Sequence, residues 1–160
     1  MHDESTERAA QEFLAAKLAE EEQLNEAKLN KEAAVALGPV VWKRVADSVL
    51  AKCKEWNAIT NEQTLTCKET LLGDLRILCT GRPQQLTVHF DSKTLLVVIK
   101  NMARLEHETD AILQVEGYRT ASGGRDAQLV RNGMPVNIDL LVLGELRVLA
   151  GMSRQANAKG

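Results

Sequence analysis

The chain has 160 residues, a mass of 17.6 kDa, a formal net charge of −2 and a pI near 6.0. Its hydrophobic fraction of 44% and charged fraction of 26% suit one packed domain with an appended arm, and exclude a wholly disordered or collagen-like chain. The charge lacks the basic excess of a dedicated nucleic-acid binder. The aromatics (Phe13, Trp42, Trp56, Phe90 and Tyr118) are too sparse for a base-stacking platform.

The first segment, Met1-His2-Asp3-Glu4-Ser5-Thr6-Glu7, is acidic and polar, unlike a secretory leader. No run reaches the roughly 18 apolar residues of a membrane span; the densest, Leu140 to Leu143, is far shorter. Cys53, Cys67 and Cys79 cannot all pair within one chain, so reduced thiols in a cytoplasmic protein are expected. Residues 1–37 hold nine acids and four bases, a net −5; residues 38–160 hold thirteen acids and sixteen bases, a net +3. The two parts attract weakly, subject to screening by salt. The acidic segment is rich in Ala, Glu, Leu and Lys and predicts a helix from about Ser5 to Leu37. Its apolar residues, among them Phe13, Leu14, Leu18, Leu24 and Leu29, scatter around the axis and form no sustained heptad seam. It is read as a charged helical arm that is solvated or rests on a partner or sister subunit, projecting from the body or lying on the far face of its sheet.

Gly38-Pro39 suggests a break and a fresh start, with proline at the first helical position. Trp42, Val45, Ala46, Val49, Cys53 and Trp56 then recur at three- and four-residue spacing, predicting an amphipathic helix from about Pro39 to Asn57. Its tryptophans are expected to be sealed against a sheet, beneath hairpins bearing Phe90 and Ile99. A ligand-lining role for Trp42 and Trp56 is the alternative.

From residue 63 the period changes to two. Leu65, Cys67 and Leu71 share one strand face, and Leu75, Ile77 and Cys79 share another. A loop at Leu72-Gly73-Asp74 would set Leu71 against Leu75 and Cys67 against Cys79, a pairing that makes a redox-responsive couple conceivable. Leu86, Val88 and Phe90 alternate with Thr87, His89 and Asp91. After a turn at Asp91-Ser92-Lys93-Thr94, Leu95, Val97 and Ile99 alternate with Leu96, Val98 and Lys100. The expected register sets Phe90 against Leu95, Val88 against Val97 and Leu86 against Ile99. Leu96 and Val98 make the reverse face more apolar than a wetted sheet face requires, which suggests cover by the arm or a second subunit.

Residues 101–110 fit either a short helix or more strand. Ala111, Leu113 and Val115 suggest another strand, Ser122-Gly123-Gly124 a loop, and Ala127 to Val130 the returning strand, stopped by Asn132-Gly133. Asn137 can cap a last helix from Ile138 to about Met152; Gly144 leaves a hairpin as the alternative. Residues 153–160 read as a flexible tail.

Chemistry-bearing motifs are few. Neither phosphate-loop signature is present, nor is any HxxxH, HExxH or CxxC, so no cofactor and no metal are expected. Ser122-Gly123-Gly124, flanked by Arg119 and Arg125, could hold an anion but reads better as a hairpin loop. Glu106-His107-Glu108 reads as a solvated charge run. His89 and Asp91 share an outer strand face and form an acid–base pair, though no identifiable nucleophile accompanies them; Ser48 and Ser92 lack a nucleophile setting. Lys43, Arg44, Lys52 and Lys54 make a poor nucleic-acid footprint because Asp47 and Glu55 interrupt them.

The expected fold class is α+β: an antiparallel sheet of five or six strands with helices on one face, preceded by a long N-terminal helix. The expected organisation is an arm over 1–37, one domain over 38–152 and a tail over 153–160. In its order of helix, strands and helix the chain resembles the small acidic dimeric secretion chaperones. The leading functional expectation is a non-enzymatic interaction or scaffold protein. It would form a homo-oligomer or bind another protein, with Phe13, Leu14, Leu18, Leu96 and Val98 at the interface, and bind neither nucleic acid nor membrane. The alternatives are a carrier of a small apolar ligand near Trp42 and Trp56, and an enzyme using His89 and Asp91.

Overall fold

A computed structural model describes residues 3–104 and 110–152. Helix α1 runs from Glu4 to Thr60; strands β1 to β6 follow at Leu65–Glu69, Leu75–Cys79, Gln85–Asp91, Leu96–Asn101, Ala111–Arg119 and Arg125–Arg131. Strand β7, Met134–Pro135, and helix α2, Ile138–Leu149, complete the fold. The strands form one antiparallel meander in the order β1-β2-β3-β4-β5-β6-β7. The class is thus α+β, with seven strands among the described residues rather than five or six. The extra strand is two residues long, too short to show a period, and it contains Pro135, which an edge position tolerates. Asn132 and Gly133 both take positive φ (51° and 78°) and make the tight turn that leads into it.

Both helices pack on one sheet face. Val41, Val45, Val49 and Cys53 of α1 and Val142, Leu146 and Leu149 of α2 share a core with Ile77, Val88, Val97, Ile99, Leu113, Val115 and Leu129. Side chains alternate across a strand, so this set takes every second residue and leaves the intervening ones on an outer face. Trp42 and Trp56 are half-buried at the flanks of the α1 stripe rather than sealed at its centre. The β-branched and thiol residues four apart occupy the middle instead. Trp42 stacks on Phe90, with ring centroids 5.9 Å apart and planes 16° apart.

Helix α1 does not break at Gly38-Pro39. Gly38 is buried where a Cβ would meet Phe90 Cζ at 3.2 Å and Leu95 Cδ2 at 3.3 Å, so the glycine allows close packing rather than a turn. Pro39 lies on the exposed side. The carbonyl it leaves without an N–H partner belongs to Val35, also exposed, where water can serve it.

Two hairpin registers differ from expectation by two residues. Leu65 faces Cys79, Cys67 faces Ile77 and Glu69 faces Leu75. Val88 faces Ile99, Phe90 faces Val97 and Leu86 faces Asn101. An even displacement keeps every side chain on its face, which is why the facing pattern survived. The cause lies in the loops. Thr70 N–H donates to Asp74 O (2.8 Å) and Gly73 takes φ +85°, making a five-residue loop with Leu71 and Leu72 exposed at its tip. Thr120 to Gly124 repeats this bonding, with Gly123 at φ +89°. In the β3–β4 loop Leu95 takes φ +60° and ends the turn, its N–H donating to Asp91 O at 2.8 Å. The new register also separates Cys67 from Cys79, now diagonal neighbours about 7–8 Å apart rather than directly opposed. All three thiols are free.

Helix α2 is capped as its sequence suggests: Asn137 Oδ1 accepts from Leu140 N–H at 3.1 Å. It ends when Gly151 N–H donates to Val148 O (2.9 Å) and Met152 N–H to Arg147 O (2.8 Å), a Schellman closure with Gly151 at φ +85°. Ser48 Oγ donates to Asp139 Oδ1 (2.5 Å) and ties α1 to the first turn of α2. The segment after β4 turns back into a buried network: Asn101 Nδ2 donates to Glu145 O (2.9 Å) and Oε2 (3.0 Å), and Arg104 Nη2 to Glu145 Oε1 (2.8 Å).

Candidate functional site

Two surfaces stand out: the free end of α1 and the outer face of the sheet. Helix α1 meets the sheet near its middle. Arg125 on β6 donates through both terminal nitrogens to Glu26 (2.6 and 2.7 Å) and through one to Asn30 Oδ1 (2.7 Å). This pairing holds the Glu26 carboxyl below its ordinary range, chiefly through the hydrogen bond from Arg125, and raises the guanidinium in turn. Beside it, Gly117 brings β5 against the α1 backbone; a Cβ there would lie 2.1 Å from Asn30 O. The first buried residues of α1 are Ala33 and Ala34.

N-terminal to this clamp, residues 4–25 are exposed throughout. The arm therefore projects and does not lie on the far face of its own sheet. Asp3 caps it, accepting from Ser5 N–H (3.3 Å) and Ser5 Oγ (2.7 Å). Phe13, Leu14, Leu18 and Leu24 are 68%, 58%, 60% and 66% exposed. Stepped at 100° per residue, these four fall within an arc of about 140°. Of the apolar residues further along the first segment, Leu37 falls well outside this arc because it belongs to the docked part, whose buried stripe is centred roughly a third of a turn away. The arm's apolar arc is thus not a continuation of the surface that faces this chain's own sheet.

On the outer face, cross-strand neighbours form rows. Lys68 faces Arg76, Arg76 faces Thr87 and Thr87 faces Lys100, so three cations and one hydroxyl span β1 to β4. All three cations are exposed, and among the described residues no ion pair engages them. Like charges directly opposite each other, as Lys68 and Arg76 are, disfavour the pair of strands. In the next row His89 faces Val98, and Val98 faces Ile112, which is 58% exposed. Leu96 and Val98 are half-buried among their strand neighbours. Glu116 and Asp126 lie towards the far end of the outer face, on β5 and β6.

His89 does not take Asp91 as its hydrogen-bond partner. Its Nδ1 bonds the carboxylate of Asp74, at the start of the neighbouring strand. Asp91 instead closes the β3–β4 loop, accepting from Lys93 N–H (2.9 Å) and Thr94 N–H (3.4 Å), which lowers its pKa. A shallow depression of about 330 Å³ over this region is lined by Asp74, Thr87, His89, Val98 and Lys100. Asp74 had read as a turn residue; only the register reveals it as the partner of His89. Lys68, Arg76 and Lys100 were legible as outward positions of their strands but not as one row.

Two other depressions border α1. One, of about 670 Å³, lies between its C-terminal part and β1, lined by Leu50, Cys53, Asn57, Leu65 and Cys67 among others. Burial, followed by the neighbouring Cys67, pushes the Cys53 thiol up to about 12. Cys67 is also raised, by burial first and then by Glu69. Neither thiol is primed as a nucleophile. Asn57 holds the edge strand there: its Nδ2 donates to Leu65 O (2.8 Å) and its Oδ1 accepts from Leu65 N–H (2.9 Å). The other depression, about 520 Å³, includes Asn30, Ala34, Leu95 and Gly117. Trp42 and Trp56 line none of the three.

The loop Ser122-Gly123-Gly124 joins β5 to β6, and its neighbour Arg125 is committed to Glu26 and Asn30. Glu106-His107-Glu108, His2 and the tail at 153–160 lie outside the described residues. Among the described residues no group of three or more His, Cys, Asp or Glu could hold a metal ion, and no helix is long and apolar enough to cross a membrane. Comparison with protein-family models, curated proteins and solved structures finds no match.

Proposed function

We propose that this protein is a non-enzymatic interaction module that assembles with a second copy of itself, and that the N-terminal arm drives the assembly. The observation that carries the reading is the apolar arc of Phe13, Leu14, Leu18 and Leu24 on the part of α1, residues 4–25, that no other described residue covers. A single helix is marginal in water, and most helical stability in proteins comes from packing an apolar face. Four large apolar side chains held in solvent on one arc gain burial only from another molecule. The chemistry elsewhere favours this over catalysis. His89 is paired with Asp74, and Asp91 is used to close a loop.

Light scattering across a range of concentrations tests the reading. A dimer mass that falls towards the monomer on dilution, and falls further when Phe13, Leu14 and Leu18 are replaced by aspartate, is expected. A strict monomer at every concentration overturns it.

A further inference from the structure

We infer that the arm of one copy lies across the outer sheet face of its partner, over the row Lys68, Arg76, Thr87 and Lys100. This rests on self-association as proposed above and names the surface involved. Charge decides between the two surfaces a free arm could meet. Residues 4–25 carry six acids (Glu4, Glu7, Glu12, Glu20, Glu21, Glu22) and two bases (Arg8, Lys17), a net −4. Pairing arm with arm sets −4 against −4. Laying the arm on the outer face instead sets Glu20 and Glu22, which flank the apolar arc, and Glu21, which lies within it, against three cations that have no ion-pair partner among the described residues.

Dimensions agree as well. Twenty-two helical residues span about 33 Å. Seven strands at about 4.8 Å spacing span about 29 Å, so one arm crosses the sheet once. The apolar components also match: Val98 and Ile112, beside the cationic row, offer a greasy floor for Phe13 and Leu18. The direction of the arc completes the case, because it is turned away from the docking face that α1 uses on its own sheet. Exchange of the two arms gives a closed twofold dimer in which each protomer supplies one arm and one face.

Charge reversal tests this on the full chain. Lys68→Glu, Arg76→Glu and Lys100→Glu are exposed positions, and circular dichroism checks that the variants keep their fold. Sedimentation velocity should show the triple variant dimerising about tenfold or more weakly, with the same direction of change for Glu20→Lys, Glu21→Lys and Glu22→Lys. Combining the two sets should restore much of the affinity. In the native protein, raising salt from about 50 to about 500 mM should weaken the dimer. If the triple variant dimerises like the native protein while aspartates at Phe13, Leu14 and Leu18 abolish the dimer, the arms pair with each other. The face is then wrong and self-association stands. A monomer throughout removes both.

Discussion

Replacing Gly117 with alanine places a methyl group inside the backbone of α1. The new Cβ would stand 2.1 Å from Asn30 O, 2.8 Å from the Asn30 carbonyl carbon and 3.0 Å from Ala33 Cβ. An ordinary carbon–oxygen contact is about 3.3 Å, so helix and strand must part by roughly 1 Å. The obstacle is backbone on both sides, and no rotamer change relieves it. The same displacement strains the Arg125 clamp on Glu26 and Asn30 and loosens Ala33 and Ala34. A cost of about 3 kcal/mol, the upper part of the overpacking range, is expected. That corresponds to a fall in Tm of roughly 6–12 °C for a chain of this size. Urea unfolding followed by tryptophan fluorescence, at fixed protein concentration, measures it. Gly38→Ala is the control. Its Cβ would meet only the tips of Phe90 and Leu95, at 3.2 and 3.3 Å, and alanine gains about 1 kcal/mol of helix propensity. Its net effect should stay within about 1 kcal/mol. A Gly117→Ala loss below about 0.5 kcal/mol would refute the close approach of α1 to β5.

Asn57→Ala removes both hydrogen bonds that pin Leu65 to the end of α1. It should cost about 1–3 kcal/mol and speed amide exchange at Leu65; unchanged exchange there would count against the pinning role. Acid should weaken the arm's anchor. Because Arg125 lowers the Glu26 carboxyl from its ordinary 4.5, its contribution is complete above that value and is lost as pH falls through the depressed one. Stability measured from pH 6 down to about 3 should therefore fall less steeply in Glu26→Gln than in the native chain, and equal slopes would contradict the linkage. Thiol labelling near pH 8 should modify the half-buried Cys67 before Cys53, whose thiol is pushed up to about 12. Mass mapping that finds Cys53 labelled first would oppose this.

Much of the fold was legible because its signals are local. The change of period at residue 63, the cap at Asn137 and the turn at Asn132-Gly133 each fix their element from a few neighbouring residues. Facing was also legible, since alternation alone decides which side of a strand is apolar. Register was not. It depends on the loops at Thr70–Asp74 and Asp91–Leu95, where a leucine at positive φ sits in a turn that its residue type argues against. The continuity of α1 through Gly38-Pro39 was hidden for a related reason: the glycine answers to Phe90 and Leu95, which lie about fifty residues downstream. At the candidate site, His89 was visible but Asp74 was not, because a cross-strand partner appears only once register is known. The apolar arc of the arm was masked by averaging the free and docked parts of one helix, whose faces point in different directions.

Amide exchange across Glu4–Asn25, followed by mass spectrometry at several protein concentrations, tests the central claim most directly. If a second copy covers the arm, its amides should exchange slowly in concentrated solution and progressively faster on dilution, while Val41 to Cys53 in the core stay protected throughout. Arm exchange that is fast and identical at every concentration would contradict the account.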